Sequence, residues 1–594
     1  MKTWKQNLDE TKQHLIRWWF GEGIVLTMWE HFQTGVTPHA DIPAPAPPRN
    51  LNQRWFDPAW RSAYLDWYVA HSYLGADILP VANTQLGPGS LAAILGGVLE
   101  GGEDTIWIHP NPAFTDEIRF DENHPNWLLH KELLRACKRR AQGHYYVGMP
   151  DLMEGLDVLA ALKGTDAVLL DTALQPERLE QQVQQINDIY FKVFDELYDI
   201  IREGDEMAFC YFSAWAPGRM TKLQSDISTM ISTADFRRFV QPYLRQQCQR
   251  IEYTLYHLDG VGALHHLDAL LEIEQLKAIQ WSPGVGQPQG GSAKWYDLYR
   301  KILGSGKSIM ASWVGLDELK PLLDHIGGEG VHLEMDFHNE AEVEQALRIV
   351  EEFTPAASPA ADAAAGEPRE TISLSSTASS TPAAALEPLF QAIVEGKREQ
   401  AVEYTRRAID AGTPPQRLIN DYMIRAMAEV GARFQDGRAF VPQLLMAGRA
   451  MAGALELLKP LLVGTASYSA GRVVIGTVKG DLHDIGKNLV ASMLEGCGFE
   501  VYNIGIDVPA EQFVAAVREY QPDILAISAL LTTTMGYMSE VIDALRASGV
   551  RDNVKIMVGG APVSQRFATQ IGADGYADNA NTAVAVAREL VHKK

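Results

Sequence analysis

Several features that would place this 594-residue chain in a familiar class are missing from its sequence. It has only four cysteines, scattered along the chain with no CxxC pair, which fits a reducing compartment and excludes the usual thiolate zinc motifs. No run of 18 apolar residues occurs, so we expect no transmembrane helix. The N-terminus lacks the charged-then-apolar pattern of a signal peptide, which predicts a cytoplasmic protein.

An excess of positive charge is also missing. The chain has 52 lysines and arginines against 75 aspartates and glutamates, a net charge of −23. Such a charge disfavours contact with phosphate backbones and anionic lipid, so we expect neither a nucleic-acid partner nor a membrane partner.

One segment has hardly any large apolar residue and divides the chain. Residues 354–386 consist mostly of Ala, Pro, Ser and Thr, a composition that cannot bury enough surface to offset the entropy of ordering. All 13 tryptophans lie before this segment, the last being Trp313. We therefore predict a flexible linker between two chemically different parts, 1–353 and 387–594.

The first part alternates short apolar runs with amphipathic stretches such as 151–164 and 233–252. Strands alternating with helices over this length predict a parallel α/β domain, and favour a (β/α)8 barrel over an open sheet. The predicted strands are 144–149, 166–172, 207–215, 253–260, 276–284, 308–315 and 331–337. The active site of such a barrel lies at the carboxyl ends of its strands, which here carry Trp215, His257, Asp259, Trp281, Glu334, Asp336 and His338.

The second part changes its periodicity near residue 466. Apolar residues at three- and four-residue spacing predict a bundle of about four helices in 387–466. From there, 467–594 alternates strands with helices in the manner of a doubly wound open sheet, whose ligands bind at the carboxyl ends of the strands.

The loops at those strand ends carry a recognisable set of motifs. Asp481-x-His483-x-x-Gly486 follows the first strand of the sheet, "SALLTTT" (528–534) the third and "GGAP" (559–562) the fourth. Together they resemble the cobalamin-binding domains of methionine synthase and of the methanol, methylamine and methoxyl-demethylase corrinoid proteins. The preceding helices, with "FVPQLLMAGRAM" (440–451), resemble the four-helix cap of those proteins. The resemblance covers 387–594 and implies a Rossmann-like cobalamin domain beneath a helical cap.

This resemblance implies that His483 is the lower axial ligand of the cobalt, with Asp481 hydrogen-bonded to its other ring nitrogen and adjusting its basicity. Gly486 would let the nucleotide tail of the cofactor enter the sheet. Taken alone, the same loop would be a helix start in which Asp481 is the N-cap and His483 is incidental.

The resemblance assigns five further contacts to the cofactor. Ser528 and Thr532 would meet the base of its displaced tail, while Gly559 and Gly560 would keep the tail's channel free of side chains. Met446, in the helical cap, would face the methyl group on the cobalt. The resemblance implies that this cobalt alternates between Co(I) and methyl-Co(III).

The first part resembles, more weakly, the uroporphyrinogen decarboxylase superfamily, through "GPGSLAAILGG" (87–97), "SDISTMISTADFRRFVQPYL" (225–244) and "YHLDG" (256–260). It lacks the arginine-rich N-terminal motif of true decarboxylases, so the resemblance implies the corrinoid-dependent methyltransferases of that superfamily. Thiol-methylating members hold zinc with His-x-Cys and a later Cys. Here the matching site is His257-x-Asp259, and the last strand has no cysteine.

A zinc site of harder ligands, made by His257, Asp259, Glu334 and His338, is one alternative for the barrel. In the other, His257 and Asp259 bind substrate by hydrogen bonds alone. Candidates for protonating the atom that loses its methyl group are Asp226, His257, Asp259, Glu30 and Tyr211. Aromatic side chains for stacking on a ring or caging an ammonium group are Trp29, Trp215, Trp281 and Trp313.

We interpret the chain as a fused corrinoid-dependent methyltransferase that moves a methyl group from a small O- or N-methylated substrate to Co(I) cobalamin. A second methyltransferase, such as a folate-dependent one, and a corrinoid reductase are the expected partners, and a homo-oligomer formed through the barrel is compatible with this interpretation. Two alternatives stay open: a radical mutase that requires adenosylcobalamin, and a non-enzymatic cobalamin sensor or store.

Overall fold

The computed structural model describes residues 3–29, 32, 42–103, 105–284, 286–353, 387–458, 461, 470–481, 485–529, 534–560 and 562–592. The predicted linker, 354–386, lies outside the described residues. The chain divides into two compact units, Met1–Ala356 and Ala357–Lys594, and each is described by itself. In the described part of the chain, no helix combines the length and the apolar character that a membrane span requires.

Unit 1 is an α/β structure. Its strands are β1 (Ile24–Met28), β2 (Val81–Ala82), β3 (Val98–Gly101), β4 (Ile106–His109), β5 (Tyr146–Val147), β6 (Met207–Ala208), β7 (Trp215–Ala216), β8 (Met220–Leu223), β9 (Tyr253–Asp259), β10 (Ala278–Ser282), β11 (Ser308–Val314) and β12 (Val331–Met335). Its helices are α1 (Leu8–Trp19), α2 (Leu51–Phe56), α3 (Pro58–His71), α4 (Ser90–Ile94), α5 (Pro125–Ala141), α6 (Gly155–Lys163), α7 (Thr165–Leu174), α8 (Pro176–Ile201), α9 (Thr233–Phe239), α10 (Gln241–Arg250), α11 (Leu267–Leu271), α12 (Tyr296–Gly304), α13 (Leu316–Ile326) and α14 (Glu340–Glu351).

Six strands of unit 1 form one parallel sheet, in the order β1-β12-β11-β10-β9-β8. From β8 to β12, strands that follow one another in the chain are neighbours in this sheet, and β1 pairs with β12. Nearly every residue of β9 to β12 is buried, as expected for a parallel sheet covered on both faces. All carboxyl ends lie along one edge, and this edge carries the polar residues considered below.

The other strands of unit 1 are short. β2 pairs with β5 in parallel, and a parallel bridge joins Met149 to Phe209 just beyond β5 and β6. The single strand predicted over 207–215 is instead an antiparallel hairpin of β6 and β7, because Phe212 and Ser213 adopt positive φ angles and reverse the chain. The strand predicted over 166–172 is wrong, since these residues lie in α7.

Unit 2 begins with helices and continues as a β-α alternation. The helices of the first segment are α15 (Glu387–Val394), α16 (Arg398–Asp410), α17 (Pro415–Leu418), α18 (Ile424–Gln435) and α19 (Val441–Leu458). The second segment contains β13 (Arg472–Thr477), α20 (Ile485–Gly496), β14 (Glu500–Asn503), α21 (Ala510–Tyr520), β15 (Ile524–Ser528), α22 (Met535–Ala547), β16 (Lys555–Gly559), α23 (Gln565–Ile571), β17 (Gly575–Ala577) and α24 (Ala580–His592).

The strands of unit 2 form a parallel, Rossmann-like sheet in the order β14-β13-β15-β16-β17. Successive side chains of a strand face opposite sides of a sheet. Accordingly, Val473 and Ile475 belong to a core that includes the helical segment, whereas Val474 belongs to the core on the other face. The helical segment and one face of the sheet therefore share one hydrophobic core.

Candidate functional site

A buried ion pair lies at the carboxyl edge of the unit 1 sheet. Lys222, in β8, donates from Nζ to Oδ2 of Asp151 over 2.6 Å, and the two side chains are 0% and 1% exposed. Lys222 also donates to Gln224, and the Tyr211 hydroxyl donates to the same carboxylate oxygen of Asp151. A buried charge is retained only where partners compensate its desolvation. These four side chains therefore form one network, of which the sequence identified only Tyr211.

Three acidic side chains surround this network. Asp157 accepts the backbone N–H groups of Asp226 (2.8 Å) and Ile227 (2.9 Å), and Oε1 of Glu154 accepts the N–H of Gln224 (3.2 Å). Desolvation raises the pKa of Asp157 to about 6 and that of Glu154 well above its usual range. The second carboxylate oxygen of Glu154 is buried and makes no hydrogen bond within the described residues. The site therefore holds more carboxyl groups than Lys222 can neutralise.

Asp226 is the most accessible of these carboxyl groups. Its Oδ2 accepts a hydrogen bond from Gln224 Nε2 (3.0 Å), and its side chain is exposed to solvent. Even so, the surrounding protein, followed by the nearby carboxylates of Asp157 and Asp259, raises its pKa well above the usual range. A carboxyl group with a raised pKa can carry a proton, and the exposed side chain of Asp226 can present that proton to a bound molecule.

His257 and Asp259 lie at the end of β9. His257 is half-buried, and its Nδ1 is 2.5 Å from Oε1 of Gln280 on the adjacent strand. Desolvation and the charge of Lys222 lower the pKa of His257, so its neutral form is favoured. Asp259 is exposed. The structure thus brings Asp226, His257, Asp259 and Tyr211 to one edge, whereas Glu30 lies outside the described residues.

The four zinc ligands considered in the sequence do not form a site. Glu334 is fully buried within the sheet, next to Ser312 and Gln280, whereas His338 is 73% exposed and pairs with Glu342. Across the described residues of both units, no three His, Cys, Asp or Glu side chains are arranged to hold a metal ion. The structure therefore gives no support to a zinc site in unit 1.

Aromatic side chains converge on the same edge. The Trp29 ring lies 6.0, 5.1 and 5.4 Å, between centroids, from Tyr211, Phe212 and Trp313. Phe212 is in turn 5.3 Å from His257. Positive φ angles at Phe212 and Trp313 indicate backbone strain of the kind that concentrates at functional sites.

Two of the four predicted tryptophans do not reach this cluster. Trp215 and Trp281 are almost completely buried, so they are core residues, and only Trp29 and Trp313 keep a partly exposed ring at this edge.

Sequence reasoning missed Asp151, Glu154, Asp157, Lys222, Gln224, Gln280 and Ser312. One signal was available: "DLMEGLD" (151–157) and "KLQSD" (222–226) place charged residues directly at the carboxyl ends of apolar runs. In a parallel α/β unit such positions converge at one edge.

In unit 2, the loop after β13 is held by a buried aspartate. Asp481 is 0% exposed, and its Oδ2 accepts a hydrogen bond from the Thr534 hydroxyl at the start of α22 (2.7 Å). Asp507 fixes the loop from the other side, since it accepts the N–H of Gly480 and donates its own N–H to the Asp481 carbonyl. His483 and Thr532 lie outside the described residues. Thr534 was not predicted, although it belongs to the "SALLTTT" motif.

The carboxyl edge of this sheet also carries the predicted glycines. Ser528 is the last residue of β15 and pairs in register with Gly559 of β16. A Cβ atom on Gly559 would lie 2.9 Å from the Ala577 carbonyl oxygen, and one on Gly560 would overlap the Ala529 carbonyl oxygen. These two positions therefore admit only glycine.

Gly486 and Met446 have different surroundings. A Cβ atom on Gly486, in the first turn of α20, would meet no atom of the described residues within 4 Å. Met446, in α19, is half-buried and packs against Gly396, where an added Cβ would lie 2.5 Å from the Met446 Cβ.

Comparison with known proteins gives matches in this second unit. Two family models, each described as a B12 binding domain, match residues 385–459 and 471–585. Dimethylamine corrinoid protein 1 of Methanosarcina acetivorans is 44% identical over 210 residues, which are 35% of this chain and 97% of that protein. Trimethylamine corrinoid protein 1 of the same organism is 44% identical over 202 residues, which are 34% of this chain and 94% of that protein. Among solved structures, the methanol:cobalamin methyltransferase complex of Methanosarcina barkeri is 34% identical and covers 36% of this chain and 82% of that chain, with a TM-score of 0.32.

Proposed function

Since this chain belongs to the corrinoid protein family through its C-terminal part, we propose that it is a corrinoid-dependent methyltransferase. Unit 1 binds a small O- or N-methylated substrate, and unit 2 holds the cobalamin that receives the methyl group. The observation that carries the proposal is the network around Lys222 and Asp151, because carboxyl groups with raised pKa values around one buried ion pair are typical of functional sites.

We further propose that unit 1 is a (β/α)8 barrel of the uroporphyrinogen decarboxylase type. Its sheet keeps strands in chain order and pairs β1 with β12, as a sheet that closes on itself does. The polar network occupies the carboxyl ends of the strands, where enzymes of this architecture carry their active sites.

The residues of unit 2 fit cobalamin. The edge at Gly559 and Gly560 presents backbone without side chains, so a flat or extended group can approach it closely. Gly486 faces open space, which leaves room for the nucleotide tail. Ser528 and Thr532 are the polar residues proposed to meet the base of that tail, and Met446 the apolar one proposed to face the cobalt.

Thr534 holds Asp481, and we propose that Asp481 in turn orients His483 as the axial ligand of the cobalt. When bound, cobalamin supplies a cobalt nucleophile for methyl transfer. The sequence motif, rather than observed geometry, supports the role of His483.

The residues of unit 1 assist the departure of the methyl group. Asp226 carries a proton, because the surrounding protein raises its pKa, and delivers it to the substrate oxygen or nitrogen as the bond to the methyl carbon breaks. The electron pair of that bond then remains on a neutral leaving group. The hydrogen bonds that join Tyr211, Lys222 and Asp151 fix these side chains in place, and the aromatic rings around Trp29 exclude water.

Asp226→Asn removes this proton and keeps an oxygen that can accept the hydrogen bond from Gln224. We expect methylation of the cobalt to slow by roughly 10²–10³-fold, the usual share of a general acid, with little change in substrate affinity. Stopped-flow absorbance of the reduced corrinoid measures the rate. Asp297→Asn, at an exposed carboxylate paired with Arg300, is the control and should react at the wild-type rate. A rate for Asp226→Asn within about twofold of wild type would exclude the general acid.

His483→Ala should change the visible absorbance of the bound corrinoid and its response to pH, because the axial ligand sets the electronic state of the metal. Far-UV circular dichroism should stay unchanged. His592→Ala, at the end of α24, is the matched control and should leave both spectra as they are. Identical visible spectra for wild type and His483→Ala would remove the axial-ligand assignment.

The substrate class is tested by reducing the full chain with its corrinoid and adding methoxylated aromatics, methylated sugars and methylamines one at a time. Methylation of the cobalt by at least one donor is expected. A second methyltransferase would then accept the methyl group, and a reductase would restore Co(I) only where the cobalt has been oxidised. If no donor of a broad panel methylates the cobalt, and the chain catalyses an isomerisation with adenosylcobalamin, the mutase would be favoured instead.

A further inference from the structure

A line of hydrogen-bonding side chains crosses the unit 1 sheet beneath His257. Gln280 accepts at Oε1 from the His257 ring (Nδ1 to Oε1, 2.5 Å) and donates from Nε2 to Ser312 Oγ (2.9 Å). The backbones of adjacent strands set this alignment, because His257 is in register with Gln280 and Ser312 with Glu334. Gln280, Ser312 and Glu334 are all completely buried.

Glu334 gives this line a direction. Its carboxyl group is buried, neither oxygen makes a hydrogen bond of standard geometry in the described structure, and desolvation raises its pKa to about 8 against the opposing effect of Ser312 and Gln280. A side-chain amide has a donor end with two hydrogens and an acceptor end. The NH2 end of Gln280 lies toward Ser312, where Nε2 donates to Oγ, and its carbonyl oxygen lies toward the His257 ring. Ser312 and the neutral carboxyl group of Glu334 can both accept from the NH2 end, which leaves the carbonyl end for His257.

This orientation determines the chemistry of the histidine. A carbonyl oxygen can only accept, so the ring nitrogen facing it, Nδ1, carries the hydrogen, and Nε2 of the neutral ring keeps a lone pair. His257 is half-buried, and no described residue makes a hydrogen bond to Nε2. The His257 ring lies 5.3 Å, between centroids, from Phe212 of the aromatic cluster at the candidate site.

We infer that Glu334 and Ser312 orient the Gln280 amide so that His257 presents Nε2 as a fixed hydrogen-bond acceptor, and that the compound bound by unit 1 carries an O–H or N–H group at this point. Glu334, Ser312 and Gln280 are positioning residues, since they act through His257. The ligand class rests on the proposed function, whereas the state of the histidine does not.

The state of the histidine is measured without turnover. In solid-state ¹⁵N spectra of the full chain labelled in histidine, the signals missing from His257→Gln identify His257, and we expect a protonated Nδ1 and an unprotonated Nε2. Gln280→Leu and Glu334→Leu should convert this single state into a mixture of both tautomers. Gln280→Glu and Glu334→Gln keep an acceptor at the same place and should preserve it. A protonated Nε2 in wild type, or an unchanged tautomer in both leucine variants, would overturn the inference.

The ligand class is tested with the donors that methylate the cobalt. Donors with a free hydroxyl or N–H group should react roughly tenfold faster at low concentration than their fully methylated counterparts, the value of about one hydrogen bond. Gln280→Leu should reduce this preference and Gln280→Glu should keep it. Equal rates for the paired donors would overturn the ligand class, and so would a shift of the Nε2 signal on adding Zn²⁺. Neither result would affect the tautomer of His257. If no donor methylates the cobalt, the proposed function fails instead.

Discussion

Lys222→Met is expected to destabilise unit 1 by about 3–5 kcal/mol, the cost of leaving a buried charge without its partner. The ammonium group is the only cation bonded to Asp151 in the described structure, and both side chains are almost fully excluded from water. Methionine fills a similar volume but supplies no charge, so Asp151 must take up a proton or water must enter. Either change also disturbs Tyr211, which donates to the same carboxylate oxygen. We therefore expect the methyl transfer proposed for this unit to be lost together with stability.

Tryptophan fluorescence during urea unfolding measures this effect selectively, because all 13 tryptophans lie in unit 1. Lys222→Met combined with Asp151→Asn removes both charges and should regain most of the lost stability, since a neutral pair has no unpaired ion to bury. Lys301→Met breaks an exposed pair with Asp268 and should cost at most about 1 kcal/mol. A fluorescence midpoint for Lys222→Met equal to that of Lys301→Met would contradict a buried, structurally required ion pair.

The fold of unit 2 could be predicted closely from its sequence. The alternation of strands and helices predicted over 467–594 is confirmed by the parallel sheet of β13 to β17 and the helices α20 to α24 between and after its strands. The central strands β13, β15 and β16 are mostly buried apolar runs, and such runs are unambiguous where they alternate regularly with amphipathic helices. The motif at 528–534 pointed to the edge of the sheet, but only the structure shows that its last residue, Thr534, bonds to Asp481.

Unit 1 was predicted less well, for two physical reasons. Residues 166–172 are a short apolar run, and a run of this length is compatible with a buried helix as well as with a strand; it lies in α7, where Val168 and Leu169 are buried. The network at Lys222 joins residues that lie 71 positions apart in the chain. Periodicity indicates which residues are buried, but the pairing of a buried lysine with one particular aspartate depends on strand order and register.

Gly560→Ala should also cause a large loss of stability, and this loss should be confined to unit 2. Gly560 has a φ angle of +128°, in a region that other residues rarely adopt, and a Cβ atom there would overlap the Ala529 carbonyl oxygen. Backbone strain and overpacking each cost about 1–3 kcal/mol, so we expect a loss of roughly 3–5 kcal/mol. The ends of β15 and β16 would have to separate, which alters the edge proposed to receive the nucleotide tail. Cobalamin should consequently bind more weakly even at temperatures where the unit stays folded.

Tryptophan fluorescence on heating measures unit 1 and should not change. Release of bound cobalamin, and the part of the circular dichroism transition that fluorescence does not follow, measure unit 2. A loss of this size lowers the melting temperature of a unit this long by roughly 10 °C. Gly549→Ala separates the two causes, because Gly549 also has a positive φ of +71° but open space around its Cβ position. It should cost only about 1 kcal/mol and leave cobalamin affinity unchanged. Equal losses of stability in the two variants would mean that backbone conformation alone, and not the close approach of β15 to β16, requires glycine at position 560.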